Sequence, residues 1–335
     1  MTASWMRREA LSAPQMVGRS LAHAQNSMSS LAARLRDRPP AFVATNARGS
    51  SDHAATLLKH LLETRVGIAT VSLPPSSLTL HQAPLLLTQA LFISLSQSGR
   101  SPDIVNSAII ARARGAHTLA LVNDIASPLA GSAEVLVPID VGEERSVAAT
   151  KTCLAAMALC HQFASLWTDP DAEGWKRIPQ VLAQASGAPP SGLVSFLASP
   201  TPTLIISRGA GLAVAGEVAL KLKECCARPA EALSSAELRH GPLALASRPL
   251  AALMLIGRGV EQPGLREVEQ ELRRIGVDVL TIGPGLDVPT PADEDPAIEA
   301  IAMLQALYLG IEAASRAFGR DPDSPPYLRK VTKTQ

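Results

Sequence analysis

The sequence is poor in the features that mark several large classes of protein. Aromatic residues make up only 3% of its 335 residues, too few for the base-stacking surfaces of nucleic-acid-binding proteins. Lysine and arginine number 31 against 30 acidic residues, so the formal net charge of +1 attracts no polyanion. Charges and prolines interrupt the apolar runs before they reach the roughly 18 residues that a membrane-spanning helix needs. We therefore expect binding to neither nucleic acid nor membrane.

Cysteine is equally scarce, and its spacing fits no redox motif. The four cysteines form no CxxC pair: Cys153, Cys160, Cys225 and Cys226. Reduced thiols of this kind are typical of a cytoplasmic protein. The opening stretch MTASWMRREALSAPQ lacks the apolar core of a secretory signal and contains Glu9. The sequence therefore predicts a cytoplasmic location.

Motifs for cofactors and metals are incomplete. Gly209 and Gly211 begin a GxG, but Val214 breaks the dinucleotide-binding fingerprint. No GxxxxGK[ST] occurs, so a P-loop nucleotide site has no support. His53 and His60 stand seven residues apart with no second pair nearby, which does not suit a metal site. We expect neither a cofactor nor a metal ion.

Short apolar strands alternate with helices along the chain after a first helical stretch at 6–36. Predicted strands lie at 41–44, 66–73, 90–95, 118–122 and 133–139, and then at 203–207, 251–256 and 277–282. Such alternation predicts parallel βαβ units and hence an α/β fold. The opening segments of the two halves, ATNARGSSDHAATLLKHLL and IISRGAGLAVAGEVALKLK, suggest two copies of one unit.

We therefore predict two doubly wound parallel sheets, each in a flavodoxin-like three-layer α/β/α domain. The predicted organisation is an N-terminal helical segment at 1–39, a first domain at 40–185, a second domain at 195–318 and a C-terminal tail at 319–335.

One strand of the first predicted domain runs into a loop that suits an anion. The segment Ser96-Gln97-Ser98-Gly99-Arg100-Ser101-Pro102-Asp103 makes a glycine turn and then starts a helix, with Ser101 as its N-cap residue. Free N–H groups at a helix start favour an anion, and the polar side chains add neutral donors. A purely structural capped turn explains Ser101 and Pro102. It gives no reason for three polar residues in a row at the carboxyl end of a strand, where open α/β sheets bind ligands.

The second predicted domain carries a helix with a charged stripe. Glu217, Lys221 and Glu224 stand at i, i+4 and i+7, so they share one face of the helix. The plainer alternative is a solvated face with one ion pair, worth about a few tenths of a kcal/mol. Farther along, His240 stands beside a Gly-Pro pair, which predicts a helix end or a loop.

These regions together resemble the SIS (sugar isomerase) family, in particular the tandem-SIS isomerase domain of glucosamine-6-phosphate synthase. Residues 94–99 are similar to its phosphate loop, S-x-S-Q-S-G, and residues 217–224 and 237–245 to E-x-A-L-K-L-K-E and E-L-x-H-G-P-L-A-L. Residues 147–151 and 328–332 resemble V-A-S-T-K and the tail L-A-K-S-V-T. The resemblance covers nearly the whole chain and implies that both predicted domains are SIS domains.

The resemblance also implies a role for each matching residue. Binding of a sugar phosphate falls to Ser51, Ser96, Gln97, Ser98, Ser101 and Val147, and catalysis to Glu224, His240, Lys330, Glu217 and Lys221. By this likeness His240 opens the sugar ring as a general acid and base, and Glu224 moves a proton from C2 to C1. Lys330 folds over the sugar with the tail. In the family the histidine comes from the neighbouring subunit, which implies a homodimer with shared active sites.

The resemblance further suggests the direction of the reaction. Thr2 stands where the synthase has the catalytic cysteine of its glutaminase domain, which implies a chain with no ammonia source of its own. The pattern is therefore closest to the SIS-type glucosamine-6-phosphate deaminases, which give fructose 6-phosphate and ammonia. Two alternatives stay open. One is an isomerase or deglycase for another amino-sugar or fructosamine phosphate, and the other is a sugar-phosphate sensor without turnover.

Overall fold

The computed structural model describes residues 3–330, which form two compact units. The N-terminal unit comprises residues 15–144, 151–176 and 329–330, and the C-terminal unit comprises residues 3–14, 145–150 and 177–328. Residues 331–335, at the end of the predicted tail, lie outside the described part of the chain. The first helix, α1 (Trp5–Asp37), contributes residues to both units, and it covers the helical stretch that the sequence predicts.

The N-terminal unit is built on a parallel sheet of five strands. These are β1 (Phe42–Asn46), β2 (Thr70–Ser72), β3 (Ala90–Ser96), β4 (His117–Val122) and β5 (Val135–Pro138), in the order β2-β1-β3-β4-β5. Its other helices are α2 (Ser50–Leu61), α3 (Pro75–Thr79), α4 (Pro102–Ala113), α5 (Pro128–Ser132) and α6 (Lys151–Thr168). Every residue of β3 is buried, because strands of a parallel sheet are covered on both faces.

The C-terminal unit repeats this strand order. Its strands are β6 (Thr203–Ser207), β7 (Ala230–Ser234), β8 (Ala251–Leu255), β9 (Asp278–Gly283) and β10 (Val288–Pro289), in the order β10-β9-β8-β6-β7. Its helices are α7 (Ile178–Gln184), α8 (Ser191–Leu197), α9 (Ala210–Cys226), α10 (Gln262–Arg274) and α11 (Pro296–Ala317). All pairings are parallel, so the predicted α/β fold with parallel sheets is confirmed.

Two predicted elements differ from the structure. The predicted strand at 66–73 is reduced to β2, because a π-helix at Leu62–Val66 continues α2 and ends at Gly67 in the left-handed region. The sequence predicts no strand at 230–234, yet these residues form β7, whose main chain pairs with β6 over five residues. The side chains of β7 are mostly half-buried, so this strand carries no continuous apolar run.

Helix α11 is the most apolar long element of the described chain. By length and composition alone, it could cross a membrane, since an 18-residue window has a mean hydropathy of 1.4. However, 89% of that window is buried inside the protein. Its apolar character is therefore explained by its place in the core of the C-terminal unit, where it packs against α9.

Candidate active site

The predicted phosphate loop, residues 96–103, lies at the switch point of the N-terminal sheet. The chain passes from β1 to β2 on one side and to β3 on the other, so the loops after β1 and β3 diverge at neighbouring carboxyl ends. Open α/β sheets bind their ligands at this point. Asn46, the last residue of β1, joins the two strands, because its amide donates to Ser94 Oγ and to the carbonyl of Ile104, each at 3.1 Å.

The loop after β3 is closed by its own hydroxyl groups. Ser96 Oγ accepts the backbone N–H of Gly99 at 3.0 Å, and Ser98 Oγ accepts that of Arg100 at 3.3 Å. Because each oxygen accepts a bond from the loop, each hydroxyl hydrogen can be given to a ligand. Ser101 is the N-cap residue of α4 and Pro102 lies in the first turn, as predicted. This geometry places two hydroxyl donors beside the start of a helix.

The loop after β1 adds a second helix start. Gly49 is the N-cap residue of α2, with φ 56° and ψ −135°, and Ser51 lies in the first turn. Ser51 and Gln97 are both half-buried. Burial raises the pKa of the neighbouring Asp52 carboxyl above its ordinary value, and the charge of Arg48 opposes that shift.

Two arginines flank the phosphate loop, and sequence reasoning assigned neither of them a role there. Arg48 Nε donates to the buried carboxylate of Asp103 at 3.2 Å. Arg100 donates to Asp124 Oδ2 through Nε at 3.1 Å and through Nη2 at 2.7 Å. The hydrogen bonds from Arg100 lower the pKa of Asp124. Both guanidinium groups are thus held by carboxylates of the same unit.

The charged stripe of α9 is buried, which excludes the alternative of a solvated face. The side chains of Glu217 and Lys221 are 0% and 1% exposed, and that of Glu224 is 21% exposed. Lys221 Nζ lies 3.6 Å from Glu217 Oε1 and also pairs with Glu224 Oε2. Solvent therefore reaches this triad mainly at the side chain of Glu224.

The two carboxylates of the triad stabilise the positive charge of Lys221. Burial alone would lower the pKa of Lys221, but the carboxylates of Glu217 and Glu224 outweigh it, so the pKa is raised. Tyr308 on α11 donates its hydroxyl to Glu217 Oε1 at 2.8 Å, a contact across 91 residues that the sequence pattern does not reveal. The buried ammonium of Lys221 thus fixes the position of the carboxylate of Glu224.

The other predicted site residues lie in less regular segments. His240 ends the short 3-10 helix Leu238–His240 and is exposed, and none of the described hydrogen bonds or ion pairs joins it to Glu224. Val147 donates its backbone N–H to the carbonyl of Asp323 at 3.0 Å. Lys330 pairs with the buried carboxylate of Glu144 at 2.9 Å.

The predicted residues thus fall into two groups, one in each unit. The N-terminal unit holds Ser51, Ser96, Gln97, Ser98, Ser101 and Lys330, and the C-terminal unit holds Glu217, Lys221, Glu224, His240 and Val147. Within residues 3–330, no group of three or more His, Cys, Asp or Glu side chains is arranged to hold a metal ion. The predicted site residues carry hydroxyl, carboxylate, amine, amide and imidazole groups.

Comparisons with known proteins agree with this geometry. A family model for the SIS domain matches residues 43–166, which contain the N-terminal sheet and its phosphate loop. A solved structure described as a phosphosugar isomerase from Silicibacter pomeroyi is 34% identical, with a TM-score of 0.88, and the match covers 96% of this chain and 100% of that one. Glucosamine-6-phosphate deaminase from Thermotoga maritima shares the fold at a TM-score of 0.80 and 20% identity, covering 99% of this chain and 100% of that one.

Curated relatives point to the same family. The isomerizing glutamine–fructose-6-phosphate aminotransferase of Methanothermobacter thermautotrophicus is 29% identical over 301 residues, covering 86% of this chain and 50% of that protein. Its counterpart in Streptomyces coelicolor is 28% identical, covering 98% and 58%. The chain therefore spans about half the length of the curated relatives that it matches. Together, the switch-point loop and these likenesses show that the chain belongs to the SIS-domain phosphosugar isomerase family, related to the isomerase domain of the aminotransferase.

Proposed function

We propose that this chain is a deaminase that converts glucosamine 6-phosphate and water into fructose 6-phosphate and ammonia. The observation that carries the proposal is the triad of α9, in which buried Lys221 holds the partly exposed carboxylate of Glu224. A carboxylate that the protein holds in place on a partly exposed side chain suits proton transfer at carbon. Glu224 takes the proton from C2 of the open-chain sugar and gives it to C1. Water then hydrolyses the resulting ketimine at C2, which releases ammonia and leaves the ketone.

The phosphate loop supports the choice of a phosphorylated substrate. Ser96 and Ser98 offer hydroxyl donors beside the N-terminus of α4, and Ser51, Gln97 and Ser101 add polar groups at the same edge of the sheet. Neutral donors and helix starts are well suited to a phosphate dianion. In the proposed enzyme these five residues and the backbone of Val147 bind the substrate.

The remaining roles follow the family resemblance. His240 acts as the general acid and base of ring opening, while Glu217 and Lys221 orient Glu224 and Lys330 supplies a positive charge over the sugar. We also propose that the C-terminal unit is a second SIS domain, since its sheet has the strand order of the first. The exposure of His240 supports a homodimer in which each subunit lends this histidine to its partner.

An ammonia assay tests the proposed reaction. Purified protein with glucosamine 6-phosphate is expected to release ammonia and fructose 6-phosphate in equal amounts, and unphosphorylated glucosamine is expected to react far more slowly. Tight binding of glucosamine 6-phosphate without ammonia release would indicate a sensor instead. Turnover of a fructosamine phosphate without deamination would indicate a deglycase.

Mixed subunits test the shared site. Glu224→Gln and His240→Ala proteins are each expected to be inactive, and mixing them in equal amounts gives half the dimers one subunit of each kind. Half of the sites in those dimers carry neither substitution, so about a quarter of the wild-type activity is expected to return in a twofold dimer. No recovery, with subunit exchange confirmed by native mass spectrometry, would refute a site shared between subunits.

A further inference from the structure

The segment that precedes α6 contains a buried carboxylate, that of Glu144, which is not one of the predicted site residues. Glu144 is 0% exposed and lies in the N-terminal unit with Lys330, whose side chain is 25% exposed. The two carboxylate oxygens of Glu144 have different partners. Oε1 accepts the backbone N–H of Thr152 at 3.1 Å, and Oε2 accepts Lys330 Nζ at 2.9 Å.

The first of these contacts fixes the carboxylate in place. Thr152 is the second residue of α6, an 18-residue helix, so its N–H points out of the helix start, where a negative charge is stabilised. Beside it, Lys151 Nζ donates to the carbonyl of Glu143 at 2.6 Å, which ties the same segment to the helix a second time. Glu144 therefore has little freedom to follow a moving partner.

The second contact fixes the position of the Lys330 ammonium, because it donates to a carboxylate that is itself held in place. A lysine side chain has several rotatable bonds, and positioning its ammonium costs rotamer entropy. The carboxylate of Glu144, which the start of α6 already fixes, attracts the ammonium of Lys330 and determines where it lies. Charge-assisted hydrogen bonds of this kind are about twice as strong as neutral ones.

We propose that Glu144 is a positioning residue for Lys330, holding its ammonium where the tail delivers it to a bound sugar phosphate. This inference rests on the proposed function of Lys330, but the contact itself can be tested without any substrate. Glu144 does not touch the sugar in this account. Its effect on turnover passes through Lys330.

The first experiment measures the accessibility of the Lys330 amine. Protein without substrate is acylated with a limiting lysine-selective reagent, and the modification of Lys330 is followed by mass spectrometry. Glu144→Gln keeps an acceptor for the Thr152 N–H but removes the charge, so labelling of Lys330 is expected to rise at least about threefold as the side chain leaves its place. Glu173→Gln is the matched control, because it breaks only the exposed pair with Lys176 in the same unit. Unchanged labelling of Lys330 would overturn the proposal whatever the enzyme's activity.

A double-mutant cycle then tests whether Glu144 acts through Lys330. We expect Glu144→Gln to lower kcat at least about tenfold in the wild-type protein and to have no further effect in a Lys330→Met background. The dissociation constant for glucosamine 6-phosphate should change less than kcat. Equal losses in both backgrounds would refute the proposal and leave Glu144 with a structural role. If Glu144→Gln does not fold, Glu144→Asp takes its place; it keeps the charge with a shorter reach, and intermediate labelling and kcat are expected.

Discussion

The first turn of the N-terminal sheet and the first turn of the C-terminal sheet have nearly the same backbone. Gly49 precedes α2 with φ 56° and ψ −135°, and Gly209 precedes α9 with φ 60° and ψ −136°. These angles are accessible to glycine and costly for other residues. Each turn follows the first strand of its unit, β1 or β6, at the switch point of the strand order. The turns after β1 and β6 therefore present an anion with the same backbone conformation.

The side chains around these two glycine turns differ. A Cβ built on Gly49 would meet no described atom within 4 Å, whereas one on Gly209 would lie 2.2 Å from Glu261 Oε1. One on Gly259 would lie 2.5 Å from Glu261 Oε2. The carboxylate of Glu261 thus occupies the space over the C-terminal turn and would repel a phosphate there. Moreover, the loop after β8, GRGVEQ at 257–262, has none of the hydroxyl groups found in the loop after β3.

The two units share one backbone plan and differ in the side chains that it carries. The N-terminal unit places hydroxyl groups on its loop, and the C-terminal unit places its polar groups inside the first helix as a buried triad. Function therefore resides in the side chains placed on the fold, and not in the fold as such. In the proposed enzyme, the N-terminal unit binds the phosphate and the C-terminal unit transfers the proton.

The largest effect is expected from Glu224→Gln, which tests the chemical half of the comparison. The amide keeps the shape of the side chain but cannot take a proton from carbon, so kcat should fall by at least about a thousandfold, while binding of the sugar phosphate is retained. Steady-state assays of ammonia release measure the loss. Turnover within tenfold of wild type would contradict the assignment of Glu224.

Lys221→Met is expected to have the largest effect on stability. It leaves two carboxylates buried without their ammonium, which should lower the free energy of unfolding by about 3–5 kcal/mol. Because the folded-state pKa of Lys221 is raised, the pair's contribution is fully present below the ordinary lysine pKa and is lost only as the pH rises through the folded value. Urea unfolding from pH 6 to 9 should therefore give the same loss throughout. A loss below 1 kcal/mol would show that the triad does not carry buried charge.

Removal of two hydroxyls tests the binding half. Ser96→Ala combined with Ser98→Ala deletes two donors to a charged group, each worth about 1.5–3 kcal/mol, so KM for the phosphorylated sugar should rise at least about a hundredfold. The value of kcat at saturation should change little. Ser132→Ala, which removes a hydroxyl bonded to the Leu129 carbonyl in the same unit, is the control. An unchanged KM would mean that the loop is only a capped turn.

Glu261→Ala tests whether the unobstructed glycine turn or the hydroxyl groups determine the affinity for phosphate. We expect wild-type protein to bind one inorganic phosphate per chain. The variant should gain a second site at least about tenfold weaker, since its loop lacks the hydroxyl donors. Isothermal titration gives both constants, with Glu267→Ala on the exposed side of α10 as control. Two sites of equal affinity would mean that the glycine turns, and not the serines, determine binding.

Arg100→Met is expected to have the smallest effect. Its pair with Asp124 is exposed, so breaking it should cost less than about 1 kcal/mol, in contrast to the buried pair of Lys221. The pKa of Asp124 is lowered, so the pair persists above the ordinary aspartate pKa and is lost only as the pH falls through the lowered value. Thermal unfolding at pH 5 and pH 8 should therefore give the same small difference. A large difference would indicate that Arg100 supports the phosphate loop directly.

The fold could be predicted because its strands are short apolar runs separated by glycine turns. β3 is an apolar run that is buried throughout, whereas β7 has no such run and the sequence pattern does not predict it. The site was predictable only in part. A spacing of i, i+4 and i+7 fixes which residues share a helix face but does not reveal whether that face meets water or Tyr308. The roles of Glu144 and Glu261 depend on contacts made in three dimensions, which neither motif nor periodicity encodes.

Equilibrium binding of glucosamine 6-phosphate to the Glu224 variant and to the serine variant tests most directly whether binding and proton transfer belong to different units. Isothermal titration avoids turnover in Glu224→Gln, and for the same reason Ser96→Ala/Ser98→Ala is measured in the Glu224→Gln background. The account predicts that Glu224→Gln binds with a dissociation constant within about threefold of the KM of the wild type, and that Ser96→Ala/Ser98→Ala binds at least about a hundredfold more weakly. Tight binding by the serine variant together with lost binding in Glu224→Gln would contradict it.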